Sequence, residues 1–70
     1  MGISAAQLKQ SFKDSPNKVA HALAETLREF GYDQLTDGYV LDALNRLTTG
    51  AEPKGVIEVF LNGWLEKGVD

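Results

Sequence analysis

The segment VIEVFLNGWLEKG, residues 56–68, decides how the rest of this 70-residue chain must fold, because it is more apolar than a surface helix needs to be. On a helix that turns by about 100° per residue, its polar side chains Glu58, Asn62 and Glu66 fall within one narrow sector. The remaining residues, most of them large and apolar, spread over roughly 240° of the helix surface. Either three other helices wrap this one, or part of its apolar surface meets another molecule.

A β-strand is the other conformation to weigh for VIEVFL, residues 56–61, since Val and Ile suit strands. A strand needs a partner, and no second comparable segment occurs in the chain. We therefore expect a helix that includes Gly63, although glycine costs roughly 1 kcal/mol inside a helix. Close approach of another helix at Gly63, either from within this chain or from a second copy, would explain why it is there.

Three further helices are predicted from their ends. Ser4 and Gln7 have the spacing of a capping box, Pro16 suits a first helical position, and Thr36 suits an N-cap. Gly31 and Gly50 suit helix stops. The sequence thus predicts a single all-α domain over residues 1–70, a compact bundle of four short helices at about 4–13, 16–30, 37–49 and 53–67.

The charge distribution disfavours nucleic acid as a partner. Seven basic and ten acidic residues give a net charge of −3. Residues 1–18 hold Lys9, Lys13 and Lys18 against Asp14, which gives +2 there and −5 in the remainder. An acidic body repels phosphates, so a regulator that contacts nucleic acid through these lysines is only an alternative. With no cysteine, the chain suits a reducing compartment, and we expect a cytoplasmic location.

The stretch YDQLTDGYVLDAL, residues 32–44, partly resembles a calcium-binding EF-hand loop. Asp33 and Asp37 would be the first and fifth of its twelve positions. Leu35 and Leu44 would stand at the third and twelfth, where the loop needs oxygen ligands. We expect a helix junction with Thr36 as N-cap and no metal, and we keep an EF-hand-like helix–loop–helix as an alternative.

Catalytic chemistry has little support in these residues. His21 is the only side chain that ordinarily titrates near neutral pH, and its predicted helical neighbours Lys18, Glu25 and Arg28 form a solvated face. The chain has no nucleophile motif and no glycine-rich phosphate loop. We expect no catalytic residues, no cofactor and no membrane span, because no apolar run approaches about 20 residues.

These observations predict a non-catalytic protein–protein interaction or dimerisation module that uses the fourth helix. The partner would be another protein or a second copy of the chain. Val56 and Phe60 would face the protein's own core. The residues expected to contact the partner are the apolar Ile57, Leu61, Trp64 and Leu65, with a polar rim of Glu58, Asn62 and Glu66.

Overall fold

The computed structural model describes residues 2–69, and within them the chain forms four helices, as the sequence predicts. They are α1 (Ala5–Asp14), α2 (Pro16–Glu29), α3 (Asp37–Thr48) and α4 (Val56–Lys67). Three of the four starts agree with the prediction to within one residue. The predicted start of α4 at residue 53 is wrong, because Gly55 has a φ of 91° and the Lys54 amide bonds to the Glu58 side chain instead of to helix backbone.

Side-chain hydrogen bonds cap the starts of α1 and α3. The Gln7 amide donates to Ser4 Oγ at 3.2 Å, and the Ser4 amide donates to Gln7 Oε1 at 3.1 Å, so the predicted capping box is formed. The Tyr39 amide donates to Thr36 Oγ1 at 3.1 Å, which caps α3. These bonds satisfy amides that have no partner inside the helix.

The four helices enclose one apolar core. Helix α1 packs on α2 and α4, and α3 also packs on α2 and α4. The buried apolar residues come from all four helices and the α2–α3 connection, and they are Leu8, Phe12, Ala20, Leu23, Ala24, Leu27, Leu35, Val40, Ala43, Leu44, Leu47, Leu61 and Leu65. Since α2 and α4 lie across the bundle from each other, grooves remain open between them.

The predicted orientation of α4 is wrong. Leu61 and Leu65, which we expected to face outward, are buried in the core, whereas Val56 and Phe60, which we expected to face the core, are exposed. The helix is rotated so that its one buried charge, Glu58, lies on the same inward side as Leu61 and Leu65. The ion pair described below is the physical reason for this rotation.

Ile3, before α1, pairs with Val69, after α4. The Ile3 and Val69 backbones form an antiparallel bridge, with N···O distances of 2.5 and 2.7 Å. Gly68 makes this approach possible, because its φ is 88° and a Cβ there would lie 2.2 Å from the Ile3 carbonyl oxygen. A residue with a side chain cannot occupy this position unless the bridge shifts.

We predict that Gly68→Ala destabilises the protein by about 1–3 kcal/mol, through strained backbone and loss of the bridge. Chemical denaturation measures the change. Gly38→Ala is the matched control, since Gly38 is helical and a Cβ there would meet no atom of residues 2–69 within 4 Å. The control should leave stability equal or slightly higher. Equal stability of Gly68→Ala and wild type would contradict the role of Gly68.

Candidate protein-interaction surface

The inward face of α4 is held by an ion pair to α3. Arg46 Nη2 lies 2.5 Å from Glu58 Oε2, and Arg46 Nη1 donates to Glu58 Oε1 at 3.2 Å. The Lys54 amide also donates to Glu58 Oε1, at 2.9 Å. Glu58 is only 3% exposed. A buried carboxylate is stable only when its oxygens are paired and hydrogen-bonded, and these three bonds meet that need.

The pairing shifts the pKa values of both partners in the directions that strengthen it. The hydrogen bond from Arg46 is the largest cause that lowers the pKa of Glu58, followed by the bond from the Lys54 amide. The hydrogen bond to Glu58 in turn raises the pKa of Arg46. Glu58 is therefore an ionised anchor of α4, and the polar-rim role that the sequence predicts for it does not match its burial.

One half of this arrangement can be predicted from the sequence. The i,i+4 spacing of Asp42 and Arg46 predicts an ion pair, and their side chains do lie 3.5 Å apart. The longer-range partner, Glu58, was missed. The available signal was its position one turn before Leu61 and two turns before Leu65, which places a carboxylate on the same helix side as two large apolar residues.

Because Glu58 faces inward, the outward side of α4 is mostly apolar. We call Val56, Val59, Phe60, Gly63 and Lys67 the outer face of α4. Val56 is 62% exposed, Val59 57% and Phe60 46%. Apart from its chain neighbours and its own helix backbone, a Cβ on Gly63 would meet no atom of residues 2–69 within 4 Å, so no other helix of this chain approaches it, and approach by a second copy stays a prediction. Gly63 instead leaves a shallow dent in the outer face.

Aromatic side chains extend the outer face along its Trp64 edge. Toward the end of α4, a groove of about 420 Å³, the Phe30 groove, lies between the end of α2 and the Val59, Phe60 and Trp64 side of α4. Phe30 itself is 70% exposed. Toward the start of α4, the Phe60 and Tyr32 rings meet edge to face, with centroids 6.4 Å apart. The apolar surface therefore continues from the outer face onto the residues that follow α2.

Tyr32 also lines a second hollow, of about 600 Å³, beside the α2–α3 connection. We call it the Tyr32 hollow, and its lining is formed by residues 31–36 together with Tyr39 and Ile57. Asp33 is its carboxylate, and it has no ion-pair partner within residues 2–69. The hollow thus combines two tyrosines with an accessible negative charge.

The residues predicted to bind a partner are divided by the fold. Leu61, Leu65 and Glu58 lie in the interior. Ile57 and Trp64 are half-buried along one edge of the outer face, two helical turns apart, where Ile57 lines the Tyr32 hollow and Trp64 lines the Phe30 groove. The rim residue Asn62 is half-buried on another side, where it donates to Glu66 at 3.2 Å. Partner binding by Ile57 and Trp64 stays a prediction.

His21 is held in a surface network that the sequence did not predict. Its Nδ1 lies 2.6 Å from Asp37 Oδ2, and its Nε2 lies 3.3 Å from Glu25. Arg28 Nη2 contacts the other Asp37 oxygen at 2.5 Å and its Nε donates to the Leu35 carbonyl. The network joins the middle of α2 to the start of α3. It also occupies Asp37, one of the two acids in the partial calcium-loop match.

The two alternatives stay predictions. Within residues 2–69, no group of three or more potential ligand side chains lies close enough together to hold a metal ion. Lys9 and Lys13 line a groove of about 680 Å³ that also contains Glu66, whereas Lys18 lines a different one. No helix in the described range is long and apolar enough to cross a membrane.

Comparisons with known proteins do not assign this chain to a family. No protein-family model matches it, and searches among curated proteins and solved structures find no match to it. Function must therefore be inferred from the surface itself.

We predict that Glu58→Gln lowers the melting temperature at pH 7, because it removes the charge that pairs with Arg46 while keeping the side-chain volume. Since folding lowers the pKa of Glu58, its charge contributes stability above the ordinary pKa near 4.5, and this contribution is lost as the pH falls through the folded value. In thermal melts, the melting temperatures of wild type and Glu58→Gln should therefore approach each other as the pH is lowered from 7 to 3. Glu66→Gln, at an exposed site on the same helix, is the control and should change little.

The His21 network should give stability the opposite pH dependence. The hydrogen bond and charge of Asp37 raise the pKa of His21, so the paired state contributes stability fully below the ordinary pKa near 6.5. That contribution is lost as the pH rises through the folded pKa. Wild type should exceed His21→Gln in stability at pH 6, and the difference should vanish at alkaline pH. An NMR titration that finds the His21 pKa at or below 6.5 would contradict this.

Proposed function

We propose that this protein is a non-catalytic self-association module that dimerises through the outer face of α4 together with Phe30. The observation that carries the proposal is the inverted polarity of α4, in which the carboxylate of Glu58 is buried while Val56, Val59 and Phe60 are exposed. An isolated domain gains nothing from exposing these side chains to water. The arrangement is stabilising if a second surface covers them.

A second copy is the partner best supported by the charges. The chain carries a net charge of −3, and its carboxylates all lie outside the outer face, whose one charged member is Lys67. Two outer faces can therefore meet without opposing negative charges. The exposed Phe60 and the dent at Gly63 also give this face a projection and a depression one helical turn apart, which suits a self-complementary two-fold contact.

The size of the surface predicts a weak dimer. A standard interface buries about 800 Å² of each partner, roughly a sixth of the 4655 Å² of accessible surface of this chain. One face of a 12-residue helix is smaller, and Phe30 is needed to extend it. Full burial of a Val or Phe side chain contributes about 1.5–3 kcal/mol, against an association cost of about 4–15 kcal/mol. We expect a dissociation constant in the micromolar range.

Sedimentation equilibrium over a wide concentration range tests the proposal. Wild type should pass from monomer to dimer, and Val59→Glu should stay monomeric and folded, because the exposed Val59 contributes to the outer face and not to the core. Asn17→Glu adds the same charge at an exposed site in the first turn of α2 and should dimerise like wild type.

A wild-type protein that is monomeric at all concentrations would contradict self-association. Dimerisation of Val59→Glu with unchanged affinity would contradict the assignment to this face. Leu61→Glu is unsuitable as a test, because Leu61 is fully buried and a charge there would unfold the domain.

A further inference from the structure

We infer that the two α4 helices pair antiparallel, with Phe60 of each copy over Gly63 of the other, so that Lys67 of each copy enters the Tyr32 hollow of the other. This inference rests on the proposed dimer and specifies its geometry. It also assigns the Tyr32 hollow as a site for a cationic side chain, and the cation is supplied by the second copy.

The register follows from spacing along one helix. Gly63 is the position on the outer face where the second copy can approach closely, because a Cβ there would meet no atom of residues 2–69 within 4 Å. Phe60 is the large exposed ring that can fill this dent. Val56 lies four residues before Phe60, and Lys67 lies four residues after Gly63. In an antiparallel pair with Phe60 opposite Gly63, Lys67 therefore lies opposite Val56.

The end of α4 at Val56 is next to the Tyr32 hollow. Ile57, the following residue, lines the hollow, and the Phe60 ring contacts the Tyr32 ring that forms its wall. A lysine opposite Val56 reaches this hollow with its flexible four-carbon side chain. Its apolar part would lie on Ile57, and its ammonium group would extend toward Asp33.

The chemistry of the hollow suits an ammonium group. Tyr32 and Tyr39 both line it, and tyrosine rings attract cations. Asp33 adds a full negative charge with no ion-pair partner within residues 2–69, and Lys67 likewise has none there. An ion pair between Lys67 of one copy and Asp33 of the other would neutralise the one charge of the outer face within the dimer. By two-fold symmetry, the contact occurs twice.

A parallel arrangement of the two helices is less favourable. It would bring the two Lys67 ammonium groups together and place Phe60 against Phe60, which leaves both Gly63 dents and both Tyr32 hollows empty. It would also align the two helix dipoles in the same direction, whereas the antiparallel pair opposes them. Charge and shape therefore favour the antiparallel pair.

Charge reversal tests this inference. We expect Lys67→Glu and Asp33→Lys each to raise the dimer dissociation constant about tenfold, and the double variant Lys67→Glu, Asp33→Lys to recover most of the wild-type affinity. Wild-type dimerisation should also weaken as salt is raised. Sedimentation equilibrium measures all of these constants. Lys13→Glu is the control, because Lys13 is also in the last turn of its helix but lies away from the outer face.

The outcomes separate the inference from the proposal on which it rests. A dimer whose affinity is unchanged by Lys67→Glu and Asp33→Lys, or is not recovered in the double variant, would overturn the placement of Lys67 while leaving self-association intact. A wild-type monomer at all concentrations would overturn the dimer, and the inference with it. Loss of affinity in Lys13→Glu equal to that in Lys67→Glu would show a general charge effect and would also overturn the inference.

Discussion

The ion pair between Arg46 and Glu58 is the constraint on which the placement of α4 depends. Both groups need a partner once the carboxylate is buried, and the bidentate contact joins the last turn of α3 to the first turn of α4. The Lys54 amide completes the carboxylate shell and sets where α4 begins. A buried pair of this kind is not in itself a strong source of stability, but it selects one orientation against others. Here it selects the side of α4 that faces inward.

That selection has a consequence for the surface. With Glu58, Leu61 and Leu65 inward, the valines of α4 and Phe60 are left outward, together with Phe30 at the end of α2. Three short helices in a chain of 70 residues have too little area to cover all sides of an apolar fourth helix. The other helices therefore cover only part of the apolar surface of α4. Its inner side completes the core, and its outer side is the surface through which we propose that two copies associate.

The sequence predicted what depends on neighbours along the chain and missed what depends on distant ones. Ser4 with Gln7, Pro16 and Thr36 act within the first turn of their helices, so the starts of α1, α2 and α3 could be predicted from the sequence. The side of α4 that faces the core could not be predicted from periodicity, because apolar residues occupy most of its circumference. The contact that decides it comes from Arg46 on α3, for which the sequence indicated only the nearby partner Asp42. The partner of His21 was missed for the same reason, since Asp37 is on another helix. Ile57 and Trp64 were placed near the surface because they lie at the border between the two sides of α4.

The most direct test of the central claim, that α4 buries its leucines and keeps its valines for a second copy, is paramagnetic relaxation of methyl groups by a soluble probe, measured at low and high protein concentration. At low concentration, the Val56 and Val59 methyl groups should relax strongly, and those of Leu61 and Leu65 should be protected. At high concentration, the relaxation of Val56 and Val59 should fall as the dimer forms. Strong relaxation of Leu61 and Leu65, or valine relaxation that is independent of concentration, would contradict the claim.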